Sequence, residues 1–368
     1  MATQPKQFGM SSKNIDKIKL LFQEQIDRGL HPGAAMAVYQ NGILMMDLYG
    51  GVANKETNEP VNRNTLFVIL SSTKPIASFC WHILWERGQI ELGDFITDYW
   101  PEFGKNGKSK ITVRHILTHT GGFPQTPEEL TAERMVEWNA ATTAMENAVP
   151  IYQPGEVIAY HPLNFGWVIG EVVKRVDGRN ISQFLTEEVT NPLGMKDFFL
   201  GLPPEHEHRV AKLHAMEDCE SPDTVEIFNR PVSHQGIIPA ANGICTARDL
   251  ARFYAMLSTG GSLDGANIIR SGVIKSVAAI QEEGIDRTNG REVKLGLGFA
   301  IDDPRMGTQR GSTRYNHSIG HGGLGSSIGW VDLESRLAVA IITNGVRGEE
   351  SNSKRLAELS EAVRDACV

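Results

Sequence analysis

Apolar residues at Ile15, Ile18, Phe22 and Ile26 are spaced by three and four. That spacing predicts a helix, opened by Ser11-Ser12-Lys13-Asn14 and closed by Gly29. The pattern then changes. AAMAVYQ and ILMMDLYGG flank Asn41-Gly42. Asn-Gly between two β-rich runs predicts a hairpin with a tight turn. Near the other end, residues 335–345 (SRLAVAIITNG) read as a strand. Residues 352–366 follow as a polar helix with Leu356, Leu359 and Val363 on one face. Between the ends the pattern is mostly helical, with loops rich in Gly and Pro. Thr246-Ala-Arg-Asp249, ahead of LARFYAML, reads as a capping box.

The two ends are thus alike in kind, each supplying a helix and antiparallel strands. The expected architecture is α+β. Residues 1–60 and 290–368 build one antiparallel sheet flanked by terminal helices, and residues 61–289 form an inserted, mostly helical region. No repeat, low-complexity tract or clear linker divides the chain, so residues 1–368 are expected to form one unit.

Composition narrows the function. A chain of 368 residues, 41% hydrophobic and 22% charged, buries a sizeable core as an ordinary globular protein does. A net charge of −8 without any Lys/Arg block argues against nucleic acid or an anionic membrane as partner. No run reaches the roughly 18 apolar residues of a membrane span. MATQPKQFGMSSKN has no apolar core or cleavage signature of a signal peptide. Cys80, Cys219, Cys245 and Cys367 are far apart and form no C-x-x-C. They read as reduced thiols, and the expected location is cytoplasmic. His206-Glu207-His208 lies in a polar, Pro-rich loop without further ligands at metal-binding spacing, so no metal or other cofactor is expected.

Two serines compete for chemistry. Gly325-Ser326-Ser327-Ile328-Gly329 matches the G-x-S-x-G elbow of serine hydrolases. An elbow serine needs a strand before it, a helix after it, and an acid and a histidine downstream. IGWVDLESRLAVAIITN reads instead as strand, turn, strand, and His321 is the last of the 11 histidines. Ser327 is therefore expected to sit in a small-residue strand segment.

Ser71 lies in FVILSSTKPI, with Lys74 three places on. The stripe Ile76, Phe79, Cys80, Ile83, Leu84 predicts a helix that Gly88 closes, with Pro75 near its start. Ser71 then falls at the helix N-terminus, with Lys74 about one turn on and on the same face. A serine hydroxyl is a poor nucleophile until a base takes its proton. Burial lowers a lysine pKa far enough to make it such a base. Taken alone, S-x-x-K is equally a capped helix with a surface lysine.

The segment does not stand alone. His31-Pro32-Gly33-Ala34-Ala35 precedes the hairpin. Ile111-Thr-Val-Arg-His-Ile-Leu-Thr-His119-Thr-Gly-Gly122, Pro154-Gly155 with Tyr160, Pro239-Ala240, Leu297-Gly298-Phe299 and Gly320-His321-Gly322-Gly323 follow. In this set, over most of its length, the chain resembles the serine β-lactamase and penicillin-binding-protein superfamily. Within it the likeness is closest to the class C β-lactamase-like esterases, the family VIII carboxylesterases. The resemblance implies that Ser71 attacks an acyl carbonyl. Lys74 and Tyr160 share the proton transfers, Tyr160 as phenolate or as hydrogen-bonded relay. The backbone N–H groups of Ser71 and Leu324 bind the oxyanion, and His321, Gly322 and Gly323 line the substrate. His115 and His119 read as structural.

Two departures from the superfamily pattern bear on substrate. The second motif usually reads Tyr-x-Asn or Tyr-x-Ser. Here it is Tyr160-His161-Pro162, which offers no side-chain amide, although Asn164 stands nearby. The third motif begins with His321 where β-lactamases have lysine, so only a partial charge is expected near pH 7. Both departures favour a small-molecule ester over a carboxylated β-lactam, and a serine carboxylesterase working through an acyl-enzyme is the expected function. An acyltransferase using the same Ser-Lys-Tyr site, a β-lactamase or D-amino-acid peptidase, and a non-catalytic binding protein are the alternatives.

Overall fold

In the computed structural model, residues 12–308 and 317–367 are described; Ser11, expected to help open the first helix, lies outside them. Helix α1 (Ser12–Asp27) leads to strands β1 (Gly33–Gln40), β2 (Ile43–Asn54) and β3 (Glu59–Pro60). The hairpin turn forms at Asn41-Gly42. Both residues have positive φ, 51° and 78°, the conformation that a two-residue turn matching strand twist requires. Six strands from the far end complete the sheet: β4 (Glu282–Ile285), β5 (Glu292–Leu295), β6 (Ala300–Ile301), β7 (Ser318–Gly323), β8 (Ser327–Asp332) and β9 (Leu337–Thr343). Their spatial order is β4-β5-β6-β7-β8-β9-β1-β2-β3, and every pairing is antiparallel. The sheet thus begins at Glu282, slightly earlier than the strand content expected from residue 290.

Strand alternation explains why the central strands read as unbroken apolar runs. Met36 and Val38 of β1, with Val339 and Ile341 of β9, face one cluster. Ala35, Ala37 and Tyr39, with Ala338, Ala340 and Ile342, face another. Both faces are buried, so no polar alternation survives. The first cluster is covered by α1 and by the terminal helix α5 (Glu349–Ala366), which starts three residues earlier than the apolar pattern predicts. The second packs on the helical region through α2 (Lys74–Glu86), α3 (Asn164–Asp177) and α4 (Ala247–Ser258).

Thr246 caps α4 by accepting from Asp249 N at 3.3 Å. The reciprocal half of the expected capping box is not made. Asp249 instead accepts from the backbone of Asp197 at 2.7 Å, so it fastens a distant segment. Trp330 packs in the outer cluster, away from any cleft, with Nε1 donating to Ser360 at 3.2 Å. All four cysteines are unpaired. No helix among the described residues is long and apolar enough to cross a membrane.

Candidate active site

The site begins with a strained turn. The short strand Phe67–Val68 pairs with Gly243–Cys245, and Ile69 N extends the ladder to Gly243 O at 2.9 Å. Leu70 then adopts φ +47°, a left-handed conformation that costs a non-glycine residue roughly 1–2 kcal/mol. Its side chain is buried, and Thr73 Oγ1 donates to Leu70 O at 2.6 Å while accepting from Gly243 N at 2.9 Å. The 3₁₀ turn Leu70–Thr73 therefore carries Ser71 and runs straight into α2, whose second residue, Pro75, needs no N–H partner. The sequence predicts the helix; the tightened first turn comes from these long-range clamps.

Lys74 is fully buried, with Nζ 3.1 Å from Ser71 Oγ. Nζ also donates to Pro162 O at 2.7 Å and Ala240 O at 3.1 Å, and it makes no ion pair among the described residues. Burial alone holds its pKa well below the usual lysine range. The geometry matches a neutral amine: two N–H groups go to the two carbonyls, and the lone pair faces the Ser71 hydroxyl.

Tyr160 is placed by its backbone N, which donates to Asp286 Oδ1 at 3.0 Å. Its ring centroid lies 4.7 Å from Lys74 Nζ, and its hydroxyl is hydrogen-bonded to Ser71. Burial raises the phenol pKa and outweighs the opposing effects of Ser71 and Arg305, so the group is a protonated phenol. Of the two forms anticipated for Tyr160, this geometry matches the relay and not the phenolate. Behind the site, His119 has φ +57°, packs its ring 4.7 Å from that of Tyr160, and accepts from His161 N at 3.2 Å. Asn164 does not replace the missing motif amide. Its Nδ2 donates to Phe123 O and Gln125 O at 2.8 and 2.9 Å.

Strand β7 forms the opposite wall. His321 stacks on Tyr160 at 5.9 Å between centroids, and its Nδ1 is 2.7 Å from Gly322 O. Burial, then the adjacent Lys74, lowers its pKa to about 3, so it is neutral where a partial charge is expected. Gly322 and Gly323 are required by close approach. A Cβ on Gly322 would stand 2.4 Å from Arg305 Nη1, and one on Gly323 would stand 2.3 Å from Ile69 O. Leu324 follows at the head of the β7–β8 turn, with an exposed side chain. The next carbonyl, Gly325 O, accepts from Arg355 Nη2 of α5 at 2.7 Å. The structure thus brings Ser71, Lys74, Tyr160, His321, Gly322 and Gly323 together, with Leu324 at the rim.

Sequence reasoning does not find Arg305. Its guanidinium lies against Gly322 and pairs with Asp303 through two bonds, 2.8 and 2.7 Å. No local pattern places it near Ser71.

Ser327 starts β8 and is buried, with Oγ donating to Ile69 O at 2.7 Å. Ser72 Oγ lies 3.0 Å away, no histidine bonds it, and no helix follows.

This arrangement of sheet, inserted helices and Ser-Lys-Tyr cluster belongs to the β-lactamase-fold hydrolases. The chain matches the Beta-lactamase family over residues 18–364 and is a member of it. It is 28% identical over 342 residues to Esterase/beta-lactamase LipL of Mycobacterium tuberculosis, covering 85% of this chain and 77% of that protein. The structure of a penicillin-binding protein homologue from Caulobacter crescentus superposes with a TM-score of 0.87 at 29% identity, covering 97% and 99% of the two chains. A family VIII carboxylesterase superposes with a TM-score of 0.85 at 28% identity, covering 98% and 99%.

Proposed function

We propose that the protein is a serine carboxylesterase that cleaves small-molecule esters through an acyl-enzyme on Ser71. The observation that carries this reading is the 3.1 Å approach of a buried, unpaired Lys74 amine to Ser71 Oγ. Lys74 takes the hydroxyl proton as Ser71 Oγ attacks the ester carbonyl. The oxyanion is received by the backbone N–H groups of Ser71 and Leu324, a contribution of about 10²–10³ in rate per donor. Tyr160, a protonated phenol bonded to Ser71, passes a proton to the departing alkoxide and is re-protonated from Lys74. Water then repeats the sequence on the acyl-enzyme.

Substrate class follows from what the site lacks. Position 162 contributes a carbonyl, already bound to Lys74, and His321 is neutral. Neutral esters need neither an amide contact nor a cation. The names of the relatives, an esterase/beta-lactamase and a family VIII carboxylesterase, support the same reading.

One observation favours a second reading, a β-lactamase or peptidase acting on carboxylated substrates. Arg305 supplies a permanent cation beside Gly322. Two bonds to Asp303 already satisfy that charge, so the ester reading stands first. The test is a panel of p-nitrophenyl esters and nitrocefin, with intact mass recorded after a slow substrate. An acyl adduct that disappears in Ser71→Ala supports the proposal, and turnover unaffected by Ser71→Ala overturns it.

A further inference from the structure

We propose that Ser72 and Ser327 are positioning residues, a pair of hydroxyls that fixes the separation of the two backbone N–H donors receiving the oxyanion. The inference rests on the serine-hydrolase reading above and concerns how that site is held together.

The two donors belong to segments far apart in the chain. Ser71 N sits on the strained turn after Leu70, and Leu324 N sits at the end of β7. No sequence-local contact sets the gap between them. The hydroxyls do. Ser327 Oγ donates to Ile69 O at 2.7 Å, two residues ahead of Ser71. Ser72 Oγ lies 3.0 Å from His321 O, three residues ahead of Leu324, and 3.0 Å from Ser327 Oγ. Each hydroxyl therefore grips the backbone just upstream of one donor.

Hydrogen counting makes the pair a single unit. Each serine has one hydrogen to give. That of Ser327 goes to Ile69 O, so toward Ser72 it only accepts. That of Ser72 goes to Ser327 Oγ or to His321 O. Ile69 O is filled by Ser327 and by Ser72 N at 3.1 Å. Both serines are fully buried. A buried network with its hydrogens in use is rigid, and losing one member loosens the rest. The contact is also tight. A Cβ on Gly323 would come within 2.3 Å of both Ile69 O and Ser327 Oγ, so β7 lies directly on the turn. A wall with only a packing role would be served by alanine, without burying two hydroxyls.

The experiment compares wild type, Ser72→Ala, Ser327→Ala and the double variant. It measures labelling of Ser71 by a fluorophosphonate, followed by intact mass, and kcat and KM on p-nitrophenyl butyrate. Rates are normalised to the folded fraction from thermal unfolding. Each single variant is expected to lower the labelling rate and kcat by about tenfold to a hundredfold, a part of what losing one oxyanion donor costs. KM should stay within about twofold, since only transition-state binding is affected. The double variant should lose far less than the product of the single losses, because the residues act as one unit. Normalised rates within about twofold of wild type would overturn the inference, as would multiplicative losses. If Ser327→Ala does not fold, Ser72→Ala decides alone, because Ser327 keeps its bond to Ile69. Wild type that is not labelled at Ser71 would instead overturn the serine-hydrolase reading itself.

Discussion

Lys74 Nζ stands 3.1 Å from Ser71 Oγ, and its other two polar partners are the carbonyls of Pro162 and Ala240. No negative charge offsets its burial, so the amine is neutral and placed to accept the serine proton. The first three predictions follow from this relationship.

A fluorophosphonate should modify Ser71 and leave Ser327 untouched. Ser327 is buried, and its hydrogen is committed to Ile69 O. Peptide mapping of the adduct is the measurement. Modification at Ser327 would refute the assignment of the nucleophile.

Lys74→Ala and Tyr160→Phe should each lower kcat by about 10²–10⁴-fold, the usual contribution of a general acid–base group. Circular dichroism should report folded protein in both. A loss below about tenfold at either position would place the proton path elsewhere, with His161 and His321 the nearest alternatives.

Stability should carry the signature of the buried amine. In the unfolded chain a lysine titrates near about 10.4, and in the folded chain Lys74 titrates well below that. Between the two values the unfolded state binds a proton that the folded state does not, so stability rises with pH across this window. Lys74→Met removes the term. Its gain in Tm over wild type should be larger at pH 6 than at pH 9.5. An equal gain at both values would mean that Lys74 is charged in the fold.

Much of this site was legible in the sequence because its signals are local. Ser71 and Lys74 share one helical turn, Gly88 closes α2, and Asn41-Gly42 makes the hairpin. What escaped is what the tertiary fold assembles. Pro162 O, Ala240 O and Arg305 reach the site from segments with no periodic relation to Ser71. The carbonyls that hold Lys74 are backbone atoms, to which residue identity gives no clue. The neutrality of His321 follows from its burial beside Lys74, which the spacing of H-G-G does not encode.

Short neutral esters should outperform β-lactams. The lost charge-assisted contact is worth roughly 1.5–3 kcal/mol, or about tenfold to 150-fold. We expect kcat/KM for a short-chain p-nitrophenyl ester to exceed that for nitrocefin by at least about a hundredfold at pH 7–8, with Ser71→Ala as control. Comparable rates would show that Arg305 engages the carboxylate despite Asp303. Asp303→Asn should then raise the nitrocefin rate further.

The grip of Arg355 on the Gly325 carbonyl has a consequence for biosynthesis. Ser71 and Lys74 leave the ribosome early, while β7, β8 and the helix carrying Arg355 leave last. Chains emerge N-terminus first. Until its final residues are made, a nascent chain carries a serine without its oxyanion-side wall, and that serine is as unreactive as any other. Hydrolytic power is switched on by completion of translation, so fragments from aborted synthesis are harmless to the esters around them.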